Sequence, residues 1–162
     1  MYNFEYKNPV KIIFGKGTIA KLTGEVPSGT KIMMTYGGGS IFKNGVYDQV
    51  KKALEGFDVV EFGGIEANPT YETCMKALEV VKKEQTGFLL AVGGGSVLDG
   101  TKFIAAAALY ENGDPWKILS GEEKAPVTRA LPIGAVLTLP ATGSEMNGNS
   151  VKIGRASCRE RV

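Results

Sequence analysis

The chain has 162 residues, of which 43% are hydrophobic and 22% charged, a composition typical of one globular domain. Its formal net charge is only +2 and its lysines are scattered, so charge gives no basis for binding nucleic acid or a membrane surface. No apolar run approaches the roughly 20 residues of a membrane helix, and the first residues lack a signal-peptide pattern. Two cysteines fit neither a disulfide framework nor a metal pair, and we therefore expect a cytoplasmic protein.

Apolar and β-branched runs predict five strands, separated by segments with helical periodicity. The strands are expected at Val10–Phe14, Lys31–Tyr36, Asp58–Phe62, Phe88–Val92 and Ile133–Leu139, and the helices at about Gly45–Glu55, Thr70–Glu84 and Ser96–Tyr110. In the second helix an apolar stripe that includes Cys74 is expected in the core, while its lysines and glutamates face water. The alternation of strands and helices predicts an α/β fold with a doubly wound sheet.

Glycine is the compositional outlier, because many of the 22 glycines fall in two clusters, Gly37–Gly39 and Gly93–Gly95. The second cluster lies between an apolar strand and a helix. The first turn of a helix has free N–H groups that favour an anion, and glycine permits an approach that a Cβ would block. We therefore expect this loop to bind a nucleotide phosphate. The alternative for Ser96 and Asp99 is a capping box at the start of the helix.

The first cluster also follows a strand and precedes a helix. In an open parallel sheet the two loops would meet beyond the carboxyl ends of the strands, where ligands collect; the alternative is a tight turn. Neither cluster matches G-x-G-x-x-G, and the chain has no P-loop motif. No acidic residue is expected near the first loop to bind a ribose 2′-hydroxyl. Its glycines and Ser40 leave room for a 2′-phosphate, which favours NADP over NAD.

A third segment, residues 137–145 (LTLPATGSE), ends a strand in a loop with three hydroxyl side chains. Hydroxyls at such a position can hydrogen-bond ribose, the edge of adenine or phosphate. The alternative is a hydroxyl-rich turn without a ligand.

GGGSVLDGTK and TLPATGSE, together with FGKGTIAKL, FGGIEANPTYET and DPW, resemble the group III metal-dependent (iron-containing) alcohol dehydrogenase family. The resemblance covers residues 1 to about 151 and is closest to the butanol dehydrogenase and NADPH-dependent aldehyde reductase branch. It implies a Rossmann-like, mostly parallel dinucleotide-binding domain over residues 1–151, followed in the family by a helical metal domain. Residues 152–162 are basic and lack periodicity, and IGRASCRERV resembles a translated sequencing-adapter fragment. We expect them to be a non-native tail.

The resemblance also implies ten cofactor-binding residues, matched position by position. Gly38, Gly39 and Ser40 would lie at the adenosine ribose and its 2′-phosphate. Gly94, Gly95 and Ser96 would bind the pyrophosphate. Asp99 would lie near the nicotinamide, and the cofactor cleft would be lined by Thr138, Thr142 and Ser144.

In this family iron or zinc is held by one aspartate and three histidines of the helical domain. This chain has no histidine, so no metal ligand and no catalytic residue is expected in it. The resemblance therefore implies the N-terminal part of an alcohol dehydrogenase or aldehyde reductase, inactive alone. The full-length enzyme would transfer hydride between NADP or NAD and a small alcohol or aldehyde. The resemblance also implies a homodimer, since full-length members of the family often form dimers.

Two alternatives stay open. One is a nucleotide-binding module without catalysis. The other is a relative such as glycerol dehydrogenase, glycerol-1-phosphate dehydrogenase or dehydroquinate synthase, against which the intact TLPATGSE and EFGGIEANPT segments argue.

Overall fold

The structure is a computed structural model that describes Glu5, residues 7–120 and residues 127–150. Its strands are β1 (Ile32–Tyr36), β2 (Val59–Phe62), β3 (Phe88–Gly94) and β4 (Ile133–Leu139). Its α-helices are α1 (Leu22–Glu25), α2 (Ser40–Lys43), α3 (Val46–Ala53), α4 (Tyr71–Glu84), α5 (Gly95–Ala108) and α6 (Lys117–Ser120). Two short 3-10 helices cover Thr18–Lys21 and Ser144–Met146. The expected tail at 152–162 lies outside the described residues.

The four strands form a parallel sheet in the order β2-β1-β3-β4. The chain passes from β1 to β2 on one side and then returns to β3 on the other side of β1. The topological switch point therefore lies between β1 and β3, where open α/β sheets bind their ligands beyond the carboxyl ends of the strands. The predicted parallel sheet is confirmed.

Helices cover both faces of β1 and β3. Alternate side chains of a strand point to opposite faces, so each strand contributes to both layers of the core. Met33 and Leu89 pack with α4 and α5 on one face, while Met34 and Leu90 pack with the segment containing α1, α2 and α3 on the other. All four side chains are fully buried. This doubly wound arrangement explains why the two central strands are almost continuously apolar.

Helix α4 follows its predicted pattern closely. The Thr70 side chain accepts a hydrogen bond from Thr73 N at 3.3 Å and so caps the helix. Its buried residues are Cys74, Ala77, Leu78 and Val81, whereas Lys76, Glu79, Lys82 and Lys83 are exposed. The predicted apolar stripe is confirmed.

The predicted strand at Val10–Phe14 is wrong, because this segment has no regular secondary structure. Ile13 is half-buried, but the other apolar side chains are exposed, Val10 by 42%, Ile12 by 63% and Phe14 by 96%. Strand-like composition forms a strand only where a neighbouring strand supplies hydrogen bonds, and none of the four described strands pairs with this segment.

No helix in the described ranges is both long enough and apolar enough to cross a membrane.

Candidate cofactor-binding site

Helix α5 begins at the switch point of the sheet, directly after β3. Its N-cap residue Gly94 is in an extended conformation, with φ −88° and ψ −171°, and provides no side-chain cap. Helix α4, of the same length, is closed by Thr70. The N–H groups of the first turn of α5 have no partners within the helix and can bind an anion.

The alternative capping box at Ser96 and Asp99 is wrong. Strand β3 extends to Gly94, so Ser96 is the second helical residue rather than the N-cap. Its Oγ instead accepts a hydrogen bond from Asn68 N at 3.4 Å. Asp99 lies beyond the first turn, and its Oδ1 accepts from Ser144 Oγ at 2.5 Å.

The glycines of the second cluster have different packing roles. A Cβ on Gly93 would lie 2.8 Å from Val97 Cγ2, and a Cβ on Gly95 would lie 2.9 Å from Thr142 Oγ1. A Cβ on Gly94 would meet no heavy atom of the described residues within 4 Å. Gly93 and Gly95 thus permit close packing of the protein, whereas Gly94 borders open space at the N-terminus of α5.

The first glycine cluster packs against the same helix. A Cβ on Gly37 would lie 3.2 Å from the carbonyl oxygen of Ile65 and 3.5 Å from Val97 Cγ2, so Val97 contacts both glycine clusters. Gly38 is exposed and borders open space, as Gly94 does. Gly39, at φ 107°, precedes α2, whose first residue Ser40 is also exposed. The structure therefore brings the two clusters together at the carboxyl edge of β1 and β3.

The third segment joins them at the start of α5. Strand β4 is irregular here, since Leu137 pairs with Gly93 but Leu139 pairs with Gly94. Thr138 is the extra residue of this bulge. Thr142 Oγ1 lies beside Gly95, and Ser144 contacts Asp99. A cavity of about 150 Å³ is lined by Asp99, Thr142, Ser144, Asn147, Asn149 and Ser150.

The structure also places an acidic residue near the first loop, against expectation. Glu61 of β2 accepts hydrogen bonds from Lys51 Nζ at 2.8 Å, Tyr47 Oη at 3.0 Å and Tyr36 Oη at 3.3 Å. Burial alone would raise the pKa of Glu61, but the hydrogen bonds from Lys51 and Tyr47 outweigh burial and lower it. The negative charge of Glu61 is therefore balanced within the protein. An acidic residue about 20 positions after a glycine loop was the sequence signal that could have identified it.

The residues present do not fit a metal centre. The described part of the chain has no group of three or more His, Cys, Asp or Glu residues able to hold a metal ion. The whole sequence has no histidine. Burial raises the pKa of the Cys74 thiol to about 12, in keeping with its predicted place in the core.

Comparison with known proteins gives a consistent picture. The family model described as "Iron-containing alcohol dehydrogenase" matches residues 9–157. The chain is 59% identical over 152 residues to the NADPH-dependent aldehyde reductase YqhD of Escherichia coli (strain K12). It is 50% identical over 154 residues to the probable NADH-dependent butanol dehydrogenase 1 of Bacillus subtilis (strain 168). Each alignment covers 93% of this chain and 39% of the relative.

A solved structure agrees with these sequence relationships. NADH-dependent butanol dehydrogenase A from Thermotoga maritima matches this fold with a TM-score of 0.87 at 49% identity. The match covers 96% of this chain and 39% of the other. The chain thus spans about two fifths of the length of the relatives that it matches.

Proposed function

The chain belongs to the iron-containing alcohol dehydrogenase family, and we propose that it forms the dinucleotide-binding part of an NAD(P)-dependent alcohol dehydrogenase or aldehyde reductase. The proposed domain comprises residues 1–151. The observation that carries the proposal is the glycine-capped N-terminus of α5 at the switch point of the sheet, next to Thr142 and Gly37.

The residues present fit a dinucleotide. The open space beside Gly94 lies where first-turn N–H groups favour an anion, so we assign the pyrophosphate to Gly94, Gly95 and Ser96. The open space beside Gly38 lies in the neighbouring loop. There we assign the adenosine ribose to Gly38, Gly39 and Ser40.

The other end of the cofactor is assigned to the groups around the 150 Å³ cavity and the adjoining bulge. These are Asp99, Thr138, Thr142 and Ser144. Hydroxyls can both donate and accept hydrogen bonds, which suits the ribose and amide groups of a nicotinamide nucleoside. When bound, the reduced cofactor would donate hydride to an aldehyde, and the oxidised cofactor would accept hydride from an alcohol.

Either NADP or NAD is compatible with the relatives, whose names include both NADPH- and NADH-dependent proteins. We favour NADP because the first loop offers glycines and Ser40, while the charge of Glu61 is balanced by Lys51. A free carboxylate at this position would repel a 2′-phosphate. The proposed substrate is a small alcohol or aldehyde.

Isothermal titration of the 162-residue chain with NADPH and NADH tests the proposal directly. We expect saturable binding of at least one of them, in competition with ADP-ribose. A chain that unfolds cooperatively but binds none of these nucleotides would contradict it. Because the described residues offer no metal site, we expect binding without turnover from this chain alone.

The alternative of a nucleotide-binding module without catalysis is favoured by the lack of histidine in all 162 residues. Both candidates predict cofactor binding. The two candidates differ in what the source DNA is expected to encode beyond these 162 residues in the same reading frame. An aspartate and three histidines there would support the dehydrogenase, and their lack in an extended frame would support the module.

Two further assignments are also proposals. We infer a cytoplasmic location because the two cysteines do not resemble a disulfide framework, and we infer no nucleic-acid or membrane partner from the small net charge. We infer a homodimer for the full-length protein, because Val10, Ile12 and Phe14 expose apolar side chains within one short segment that a second copy could cover. Sedimentation of the full-length protein would reject the dimer by showing a monomer at micromolar concentration.

A further inference from the structure

One ammonium group joins the segment after β4 to helix α5. Lys102 Nζ donates a hydrogen bond to Ser144 O at 2.8 Å and contacts the backbone oxygen of Asn149. It also lies 3.3 Å from both the backbone oxygen and Oδ1 of Asn147, and 3.7 Å from Asp99 Oδ1. Five oxygens therefore surround the ammonium, which has only three N–H donors to share among them.

Lys102 is unusually buried for a lysine. Its side chain is 11% exposed, compared with 28% for Lys31, which forms an ion pair just before β1, and 44% for Lys51, which forms one on α3. Burial lowers the pKa of Lys102, and nearby Asp99 opposes that shift. Burying an ammonium is unfavourable unless oxygens replace its water. The contacts of Lys102 therefore hold the segment in one place.

The segment that Lys102 holds borders the cavity described above. Ser144 and Asn147 are both contacted by the ammonium and both line that cavity, as does Asp99. The Ser144 hydroxyl reaches Asp99 only while the backbone of Ser144 stays against α5. Without the ammonium, the hydrogen bonds from Ser144 Oγ and Ser150 Oγ to Asp99 would still join the segment to α5, but the backbone oxygens of Ser144, Asn147 and Asn149 would lose their shared donor beside the cavity.

We propose that Lys102 is a positioning residue for the nicotinamide half of the cofactor site. It acts by holding residues 144–149 against α5, so that Ser144 and Thr142 face the bound nucleotide. The inference rests on the proposed function, since it needs the cofactor's nicotinamide half at this cavity. The proposed role predicts weaker binding of the nicotinamide half alone, whereas a purely structural role for Lys102 would weaken the binding of both halves of the cofactor.

The test compares two nucleotides on the variant K102M, which keeps the length of the side chain and removes its charge. We expect K102M to bind NADPH about tenfold more weakly than the wild type, because binding must then also order residues 144–149. Its affinity for 2′-phospho-ADP-ribose, which lacks the nicotinamide, should be unchanged. Hydrogen exchange of the amides in 143–149 should rise, while exchange in β1 and β3 stays unchanged.

K31M is the matched control. Lys31 lies just before β1, at the opposite end of the strands, and pairs with Glu84 at 3.0 Å and Asp58 at 3.4 Å. Its loss should lower stability without altering the affinity for either nucleotide. If K102M does not fold, K102Q replaces it, because the amide keeps a donor but not the charge, and the same NADPH-specific loss is expected.

Three outcomes would overturn the inference. K102M could bind NADPH as tightly as the wild type, or it could lose affinity for both nucleotides equally while remaining folded. Either result rejects Lys102 as a positioning residue and leaves the proposed function intact. A wild-type chain that binds neither nucleotide would overturn the proposed function and this inference with it.

Discussion

Ser144 Oγ donates a hydrogen bond to Asp99 Oδ1 at 2.5 Å, and it joins residues that are 45 positions apart in the sequence. Both residues are buried, Asp99 to 2% exposure and Ser144 to 5%. A buried carboxylate needs donors to replace its hydration. This contact therefore links the loop after β4 to the helix that starts the proposed pyrophosphate site.

Replacing Ser144 with alanine should be costly for this reason. Among the described residues, Asp99 Oδ1 would retain only Lys102 at 3.7 Å, so we expect S144A to lose about 1–3 kcal/mol of unfolding free energy, measured by urea denaturation. S40A serves as the control because Ser40 is exposed, and it should change stability by no more than about 0.5 kcal/mol. Equal stability of the two variants would show that the Asp99 contact contributes nothing.

The two glycines Gly93 and Gly94 should separate packing from ligand binding. G94A meets no protein atom within 4 Å and keeps a backbone conformation that any residue adopts, so its stability should match the wild type. Its methyl group would occupy the space assigned to the pyrophosphate. NADPH affinity, measured by calorimetry, should therefore fall about tenfold or more.

G93A, in contrast to G94A, should lower the stability of the fold. Its Cβ would lie 2.8 Å from Cγ2 and 3.2 Å from Cβ of Val97, whose β-branched side chain has few rotamers to escape into. Thermal unfolding should therefore show a clear loss of stability for G93A alone. Undiminished NADPH affinity of a stable G94A would reject the assignment of that space.

The hydroxyls of Thr35 and Thr101 lie 2.6 Å apart between β1 and α5, and both residues are fully buried. They connect β1 to α5, and Thr101 also donates to Val97 O at 2.7 Å. T35V leaves the Thr101 hydroxyl with one partner fewer, so we expect a loss of about 1–3 kcal/mol in urea unfolding. T35V/T101V removes both hydroxyls and should lose less than the sum of the single variants. Additive losses would mean that the two hydroxyls do not interact.

Sequence patterns identified the features that depend on neighbouring residues. The apolar stripe of α4 is determined within one helix, and the order of strand, glycine cluster and helix around Gly94 is also local. The strand predicted at Val10–Phe14 failed because strand formation needs a partner elsewhere. The contact between Lys102 and Asn149 could not be anticipated, because it requires the path of the chain after β4. The alternative of a cap at Ser96 is wrong because β3 is two residues longer than its apolar run.

Glu61 illustrates the same dependence on distant contacts, and its protonation gives a prediction for pH. Its pKa is lowered: burial opposes the shift, but the hydrogen bonds from Lys51 and Tyr47 prevail. A carboxyl group with a lower pKa in the folded state stabilises the fold above its ordinary value of 4.5, and this contribution is lost as the pH falls through the folded-state pKa. The wild type should therefore have a higher Tm than E61Q at pH 7. The difference should shrink as the pH falls below 4.5.

The partners of Glu61 do not titrate in that range, since the pKa values of Tyr36, Tyr47 and Lys51 are all raised from values of 10.0 or above. Circular dichroism melts of wild type and E61Q from pH 7 down to about 3 would measure the difference. E79Q removes an exposed carboxylate from α4 and is the control for the general effect of charge. If the wild-type and E61Q curves run parallel through the acid range, the Glu61 carboxylate has the same pKa in the folded and unfolded chain, and its hydrogen bonds to Lys51 and Tyr47 do not stabilise the fold.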